Sequence, residues 1–344
     1  TQENSSLIVN SSLLKIADVF RTSNNFLRYA IYKVFRKNGT YLSDKIINTD
    51  EILRRITAVL QSNDPVARAI TLRTLGCIPQ VVADKLNIHH GIRNSVKSSH
   101  ELEVEASIFA IDRVASVSKV FAQAIIPILF QMIEGVETPV VAKLKLIKLL
   151  GNMHHDVDMV TQCRNFCLGL FEKYPGRTFY LILLEASTEL AIKSAIHSSD
   201  QINLLLQVVV EDPRFIVKLS CLRNLRLVIT HTLDLSSMVQ KIFQVLLQVL
   251  ESCKSAQYFT ERTDTVPKLA LGANDNQFKL EITLLDILTE LSKHGSFYIQ
   301  TANMEKKEIT NCFEQICIHC QQLLLHPNYK VSQLSAQVLE NILE

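Results

Sequence analysis

One phrase recurs in this chain at a fixed interval, and that recurrence limits the fold more than any other feature. Ser62-Asn63-Asp64-Pro65-Val66-Ala67-Arg68-Ala69 aligns with Ser99-His100-Glu101-Leu102-Glu103-Val104-Glu105-Ala106, 37 residues later. Pro139, in Thr138-Pro139-Val140, lies 74 residues after Pro65. Pro213, in Asp212-Pro213-Arg214, lies another 74 beyond, so each interval is twice 37. In a late copy, Pro327 to Val331 matches Pro213 to Val217, and Leu339 falls where Leu225 does.

Each phrase joins two stretches of helical periodicity. Before it, Ile52, Leu53, Ile56, Val59 and Leu60 repeat at the three-to-four spacing of one helix face. After it, Val66, Ala69, Ile70, Leu72 and Leu75 do the same. Pro65 fits the first turn of the second helix, where its missing N–H costs nothing, with Asp64 or Asn63 as N-cap. Gly76 suits its end. Further helices are expected at Phe26 to Phe35, Val120 to Ile133, Val160 to Lys173, Tyr180 to Ile192, Ile202 to Val210, Met238 to Leu250, Lys279 to Lys293 and Cys312 to Leu325. A helix–turn–helix unit of this period, without the tetratricopeptide aromatics, predicts an all-α fold. It is a HEAT/armadillo-like α-solenoid of stacked antiparallel helix pairs, roughly eight of them. No pair can bury its apolar face alone, so neighbouring pairs complete the core.

Composition agrees. The 344 residues are 47% hydrophobic, with only 9 Gly and 8 Pro, fewer than the turns of a β-rich or α/β enzyme of this size demand. Trp is absent and aromatics make up 7%, so the core is aliphatic. The register predicts a regular array over 1–250, a loop or insert over 251–277 and further helical repeats of the same solenoid over 278–344. The polar stretch Ser252 to Asn276, with Pro267 and Gly272, marks the break. A functional loop and a passive insert both fit it. No run approaches the roughly 18 apolar residues of a membrane span. No signal peptide is evident, and the chain opens directly into an apolar-periodic stretch, as a piece of a longer protein would.

Sites for chemistry are sparse. Eight cysteines lie among helical residues and read as buried, reduced thiols of an intracellular protein. Cys312, Cys317, His319, Cys320 and His326 make the only ligand-rich cluster. They fall in an apolar helical run, which favours core cysteines over zinc, and Cys163 and Cys167, one turn apart, read the same way. His89-His90 and His154-His155 point about 100° apart within each pair, so capping and surface roles are expected. Asn-x-Ser/Thr matches at Asn4, Asn10 and Asn38 are read as chance. No His-Glu-x-x-His, Gly-x-Ser-x-Gly, Walker or dinucleotide motif occurs. The expectation is no enzyme, no cofactor and no metal.

The net charge of +2 gives no general pull toward nucleic acid or membrane. Basic residues do recur at the starts of the second helices: Arg68, Arg73, Lys143, Lys145, Lys148, Arg214, Lys218, Arg223 and Arg226. Stacked, they would form a ridge for an acidic peptide, a partner subunit or RNA phosphate, or else a solvated face with acidic neighbours.

Several long stretches resemble the N-terminal region of the Integrator complex subunit 7 family. They include Leu14-Lys15-Ile16-Ala17-Asp18-Val19-Phe20 followed by Asn24-Asn25-Phe26-Leu27-Arg28, and Ser62 through Arg73. His89-His90-Gly91-Ile92-Arg93, Glu103-Val104-Glu105-Ala106, Thr138 through Leu146 and Met153-His154-His155-Asp156 continue the likeness. It is densest over residues 8–156, weaker through 201–225 and thin after Leu250. The resemblance implies a nuclear, non-catalytic scaffold subunit held among large helical Integrator subunits. That complex binds RNA polymerase II, processes small nuclear RNA 3′ ends, attenuates transcription and carries an associated phosphatase, its catalytic activities lying in other chains. A HEAT-type transport or coat adaptor and an RNA-contacting platform remain as alternative readings.

Overall fold

The computed structural model describes residues 2–43, 47–232, 235, 238–260, 270–293, 306–326 and 328–343. Among them are 17 α-helices and no strand. They group into two compact units, Thr1–Leu170 and Phe171–Glu344.

The first unit opens with α1 (Gln2–Thr22) and α2 (Asn25–Ser43), then α3 (Thr49–Thr57), which runs through a 3-10 turn (Ala58–Gln61), and α4 (Pro65–Gly76). The short α5 (Pro79–Val82) and α6 (Leu86–Ser95) precede α7 (Glu101–Ala115), and α8 (Lys119–Glu134) precedes α9 (Val140–Leu150). α10 (Val157–Lys173) lies mostly in this unit. The second members of the pairs, α2, α4, α7 and α9, pack in sequence against one another. A 12-residue helix such as α4 is marginal alone in water. Its Leu72 and Leu75 are fully buried, each worth roughly 2–3 kcal/mol, so packing rather than propensity holds it. α4 meets α7 closely at Gly76, where a Cβ would stand 2.9 Å from the Phe109 ring.

The second unit contains α11 (Arg177–Ser194), α12 (Ser198–Glu211), α13 (Phe215–His231), α14 (Val239–Thr260), α15 (Ala270–Ser292), α16 (Lys306–Leu323) and α17 (Tyr329–Leu343). Here α11, α13, α15 and α17 pack in sequence, and α12, α14 and α16 form the other row. One aliphatic core runs through both rows, including Leu205, Leu222, Leu246, Leu284 and Val338.

The turns are built as the sequence phrase predicts. Asp64 is the N-cap of α4, its Oδ1 accepting from Val66 N at 2.9 Å, with Pro65 in the first turn. Asn24, Asp212 and Asn328 do similar work, accepting from Leu27 N, Arg214 N and Lys330 N. The repeat period reappears in many of the polar bonds that tie one pair to the next, whose partners stand 35 to 41 residues apart in sequence. Examples are Asn25 Nδ2 to Asp64 Oδ2 at 2.5 Å, Ser118 Oγ to Ala83 O at 2.6 Å and Arg214 Nη1 to Pro175 O at 2.9 Å.

Two local expectations change. The polar stretch expected as a loop from Ser252 to Asn276, inside the 251–277 segment, is entered by helix from both ends. α14 continues to Thr260, because residues 251–260 contain neither Pro nor Gly, and α15 begins at Ala270 and takes in Gly272. Residues 261–269, with Pro267, lie outside the described residues. Pro327 of the late repeat copy lies outside them too. His89, expected in a capping or surface role near a helix end, sits inside α6 and is 4% exposed. Its Nε2–H donates to Val82 O at 3.0 Å, and its ring packs on Phe121.

Candidate functional site: a charged ridge across the helix pairs

In the first unit the ridge residues stand on α4 and α9, with α7 between them. Arg68 leaves the first turn of α4, where its Nη1 donates to Ser62 O at 2.7 Å and its Nη2 to Glu103 Oε2 at 2.7 Å. Ser98 Oγ donates to the same carboxylate oxygen at 2.8 Å. Glu103 is 4% exposed. Burial alone would push its carboxyl up, but the hydrogen bonds from Arg68 and Ser98 outweigh that and hold it below the ordinary range. Arg68 is raised in turn, chiefly by its hydrogen bond to Glu103.

Five residues further along α4, Arg73 is half-buried, and its charge acts on the carboxylate of Glu105 on α7. Lys145 of α9 pairs with that carboxylate from the other side. The hydrogen bond from Lys145, helped by the charge of Arg73, lowers the Glu105 pKa. Lys143 is buried at 8% exposure, and Lys148 is exposed in the last turn of α9. Two acids of α7 thus lie between the basic residues of α4 and α9, linking three successive helices by charge. A partly polar cleft of about 870 Å³ opens beside Arg68 and Glu103, lined also by Arg54, His90, Asn94 and Ser98.

In the second unit Arg214 grips Asp212 at 2.5 Å and lies over the Tyr180 ring, 4.7 Å from its centroid. The hydrogen bond from Arg214 lowers the Asp212 pKa, and Lys218, half-buried one turn along, adds to the effect. Arg223 is exposed on α13. Arg226 reaches Asp286 and Glu290 of α15 at 3.4 and 3.9 Å. Arg68, Lys145, Arg214 and Arg226 are thus each paired with a carboxylate from a neighbouring repeat or the preceding turn.

The sulfur- and nitrogen-rich positions do not converge. Among the described residues no group of three or more His, Cys, Asp or Glu could hold a metal ion. Cys312 and Cys320 are buried, while His319 approaches Glu251 and His326 approaches Glu281, each at 3.6 Å. Cys163 and Cys167 are fully buried on α10, and burial raises both thiols, Cys167 to about 12. His155 closes a helix end, its Nε2–H donating to Ala115 O at 2.6 Å. Sequence reasoning missed Glu103 and Glu105 as partners of the ridge. Their one-repeat offset from the basic positions was the available signal.

Comparison with known proteins gives a consistent picture. Residues 5–343 match the family described as Integrator complex subunit 7, N-terminal, so the match includes the C-terminal third. Relatives named Integrator complex subunit 7 are 43% identical over 221 residues in Danio rerio and 42% identical over 226 residues in Homo sapiens. These alignments take in 64% and 66% of this chain but 23% of each relative, so the chain spans about a quarter of the proteins it matches. The solved structure of importin beta, a HEAT solenoid, aligns with 99% of this chain and 44% of its own at a TM-score of 0.63 and 13% identity. That likeness concerns the fold, and it places the chain among HEAT-like helical solenoids.

Proposed function

The chain belongs to the Integrator complex subunit 7 family, and from that membership we propose that it is a non-catalytic scaffold segment of the nuclear Integrator complex. It acts by protein–protein binding, in small nuclear RNA 3′-end processing and in attenuation or termination of RNA polymerase II transcription. Its direct partners are other large helical Integrator subunits, and its links to the polymerase and the associated phosphatase run through them. The observation that carries this reading is the family match from residue 5 to 343, over a chain whose described residues fold as helix pairs. Repeat arrays expose long continuous faces on which several partners can dock.

The ridge is read within this function as a fastening between repeats, and its exposed member Arg223 faces outward for a partner. Affinity purification of the tagged chain from nuclear extract tests the assignment. Integrator subunits are expected to co-purify, and fluorescence imaging is expected to place the chain in the nucleus. A stable cytoplasmic pool with no Integrator subunit attached would instead favour a transport or coat adaptor and overturn it.

A further inference from the structure

We propose that the exposed face of α2 is a docking surface for an acidic segment bearing apolar side chains. This rests on the reading that the chain works by binding proteins, but it concerns a surface outside the ridge. α2 is amphipathic on two sides. Ile31, Tyr32, Phe35 and Leu42 are buried. On the opposite side Phe26, Tyr29, Lys33, Lys37 and Tyr41 follow one another at three- and four-residue steps, which align them along a single stripe. Phe26 is 84% exposed, Tyr29 46% and Tyr41 54%. Leu27 and Val34 add exposed aliphatic surface beside them. Contiguous exposed apolar groups of this kind mark interaction sites rather than ordinary surface.

Charge selects the occupant. The sequence from Asn25 to Ser43 contains no Asp or Glu. Of its four basic residues, Arg28 is taken up by the carbonyls of Phe20 and Arg21 and by Asn25. Lys33, Arg36 and Lys37 are exposed, and among the described residues no carboxylate pairs with them. The ridge differs: there Arg68, Lys145, Arg214 and Arg226 each hold a carboxylate, and here three cations stand around apolar side chains without one among the described residues. Carboxylates of a partner would supply the missing charge, while its apolar residues cover Phe26 and Tyr29. The stripe from Phe26 to Tyr41 is about 22 Å long, the length of a four-turn helix.

A single-stranded nucleic acid fits less well. Lys33 Nζ already covers one face of the Tyr29 ring, 4.8 Å from its centroid. Leu27 and Val34 offer nothing for a base to stack on.

The test uses a fluorescent synthetic peptide long enough to lie along α2, an amphipathic helix with Leu and Phe on one face and Glu on the other. A Gln-for-Glu version and an oligouridylate serve as the other probes. The acidic peptide is expected to bind the chain. Affinity should fall at least about tenfold in the Lys33→Glu/Arg36→Glu/Lys37→Glu variant, in Phe26→Ala/Tyr29→Ala, and with the Gln-for-Glu peptide. Lys37→Glu alone, the mildest change, should weaken binding in the same direction, with circular dichroism confirming an unchanged fold. Binding that is indifferent to these substitutions, or an oligouridylate that binds this face while the peptide does not, overturns the proposal. Co-purification of Integrator subunits with the unmodified chain reports separately on the broader function.

Discussion

Gly39 and Gly169 are both glycines inside helices, and replacing each with alanine should move stability in opposite directions. Helix propensity alone favours alanine at either position by about 1 kcal/mol. At Gly169, in α10, an added Cβ meets nothing within 4 Å, so that gain should appear almost undiminished. At Gly39, in α2, the same Cβ would lie 2.0 Å from the carbonyl oxygen of Cys77 at the end of α4. Ordinary contact begins at 3.4 Å, so the shortfall is about 1.4 Å, and it is against backbone that cannot rotate away. α2 must back off from α4, loosening the layer that buries Ile31 and Phe35. Overpacking of this kind costs roughly 1–3 kcal/mol, and the disrupted layer adds to it. After subtracting the propensity gain, a net loss of about 1–2 kcal/mol is expected for Gly39→Ala. Urea unfolding followed by circular dichroism gives the sign for each variant, and hydrogen exchange of the α2 and α4 amides shows where it arises. If Gly39→Ala raises the unfolding midpoint as Gly169→Ala does, α2 and α4 do not pack this closely and the argument fails.

Two other predictions follow from the buried polar groups. Glu103→Gln removes the charge that Arg68 faces in a largely buried setting and should cost roughly 3 kcal/mol at neutral pH. Because the Glu103 pKa is lowered in the folded chain, its stabilisation is present above the ordinary value of 4.5 and is lost as pH falls through the folded value. The stability gap between wild type and Glu103→Gln should therefore shrink as acid is added below 4.5, and a gap independent of pH would refute the pairing. Burial raises the Cys163, Cys167 and Cys221 thiols, the last two to about 12. Native-state alkylation read by mass spectrometry should leave these three unmodified while the half-buried Cys317 reacts; rapid labelling of Cys167 or Cys221 would contradict the core placement.

The helix pairs and their period were legible in the sequence because their causes are local. A capping oxygen followed by proline starts the helix at Asp64-Pro65, and aliphatic residues spaced for one face must be covered by a neighbour. The basic ridge was legible as a list of positions, and so was the family resemblance. Which of those cations remain available was not. Arg68 and Arg73 look alike along α4, yet one donates to a buried carboxylate and the other only adds its charge to a carboxylate that Lys145 holds, both acids coming from α7. Likewise the two histidines at 89 and 90 are neighbours in sequence but opposite in burial, because Phe121 of α8 covers only the first.

The periodic phrase at residues 62–69 thus determined the architecture: all-α, paired helices, a repeat near 37 residues and an aliphatic core. Tertiary structure alone decided which side chains face across the repeats. It set Glu103 against Arg68, brought the Gly39 backbone against Cys77, and left the cations of α2 with no carboxylate among the described residues. The physical reason is range. Capping and periodicity act within a few residues, whereas a salt bridge or a backbone approach between pairs depends on groups 35 to 60 residues apart, whose positions exist only once the pairs have stacked.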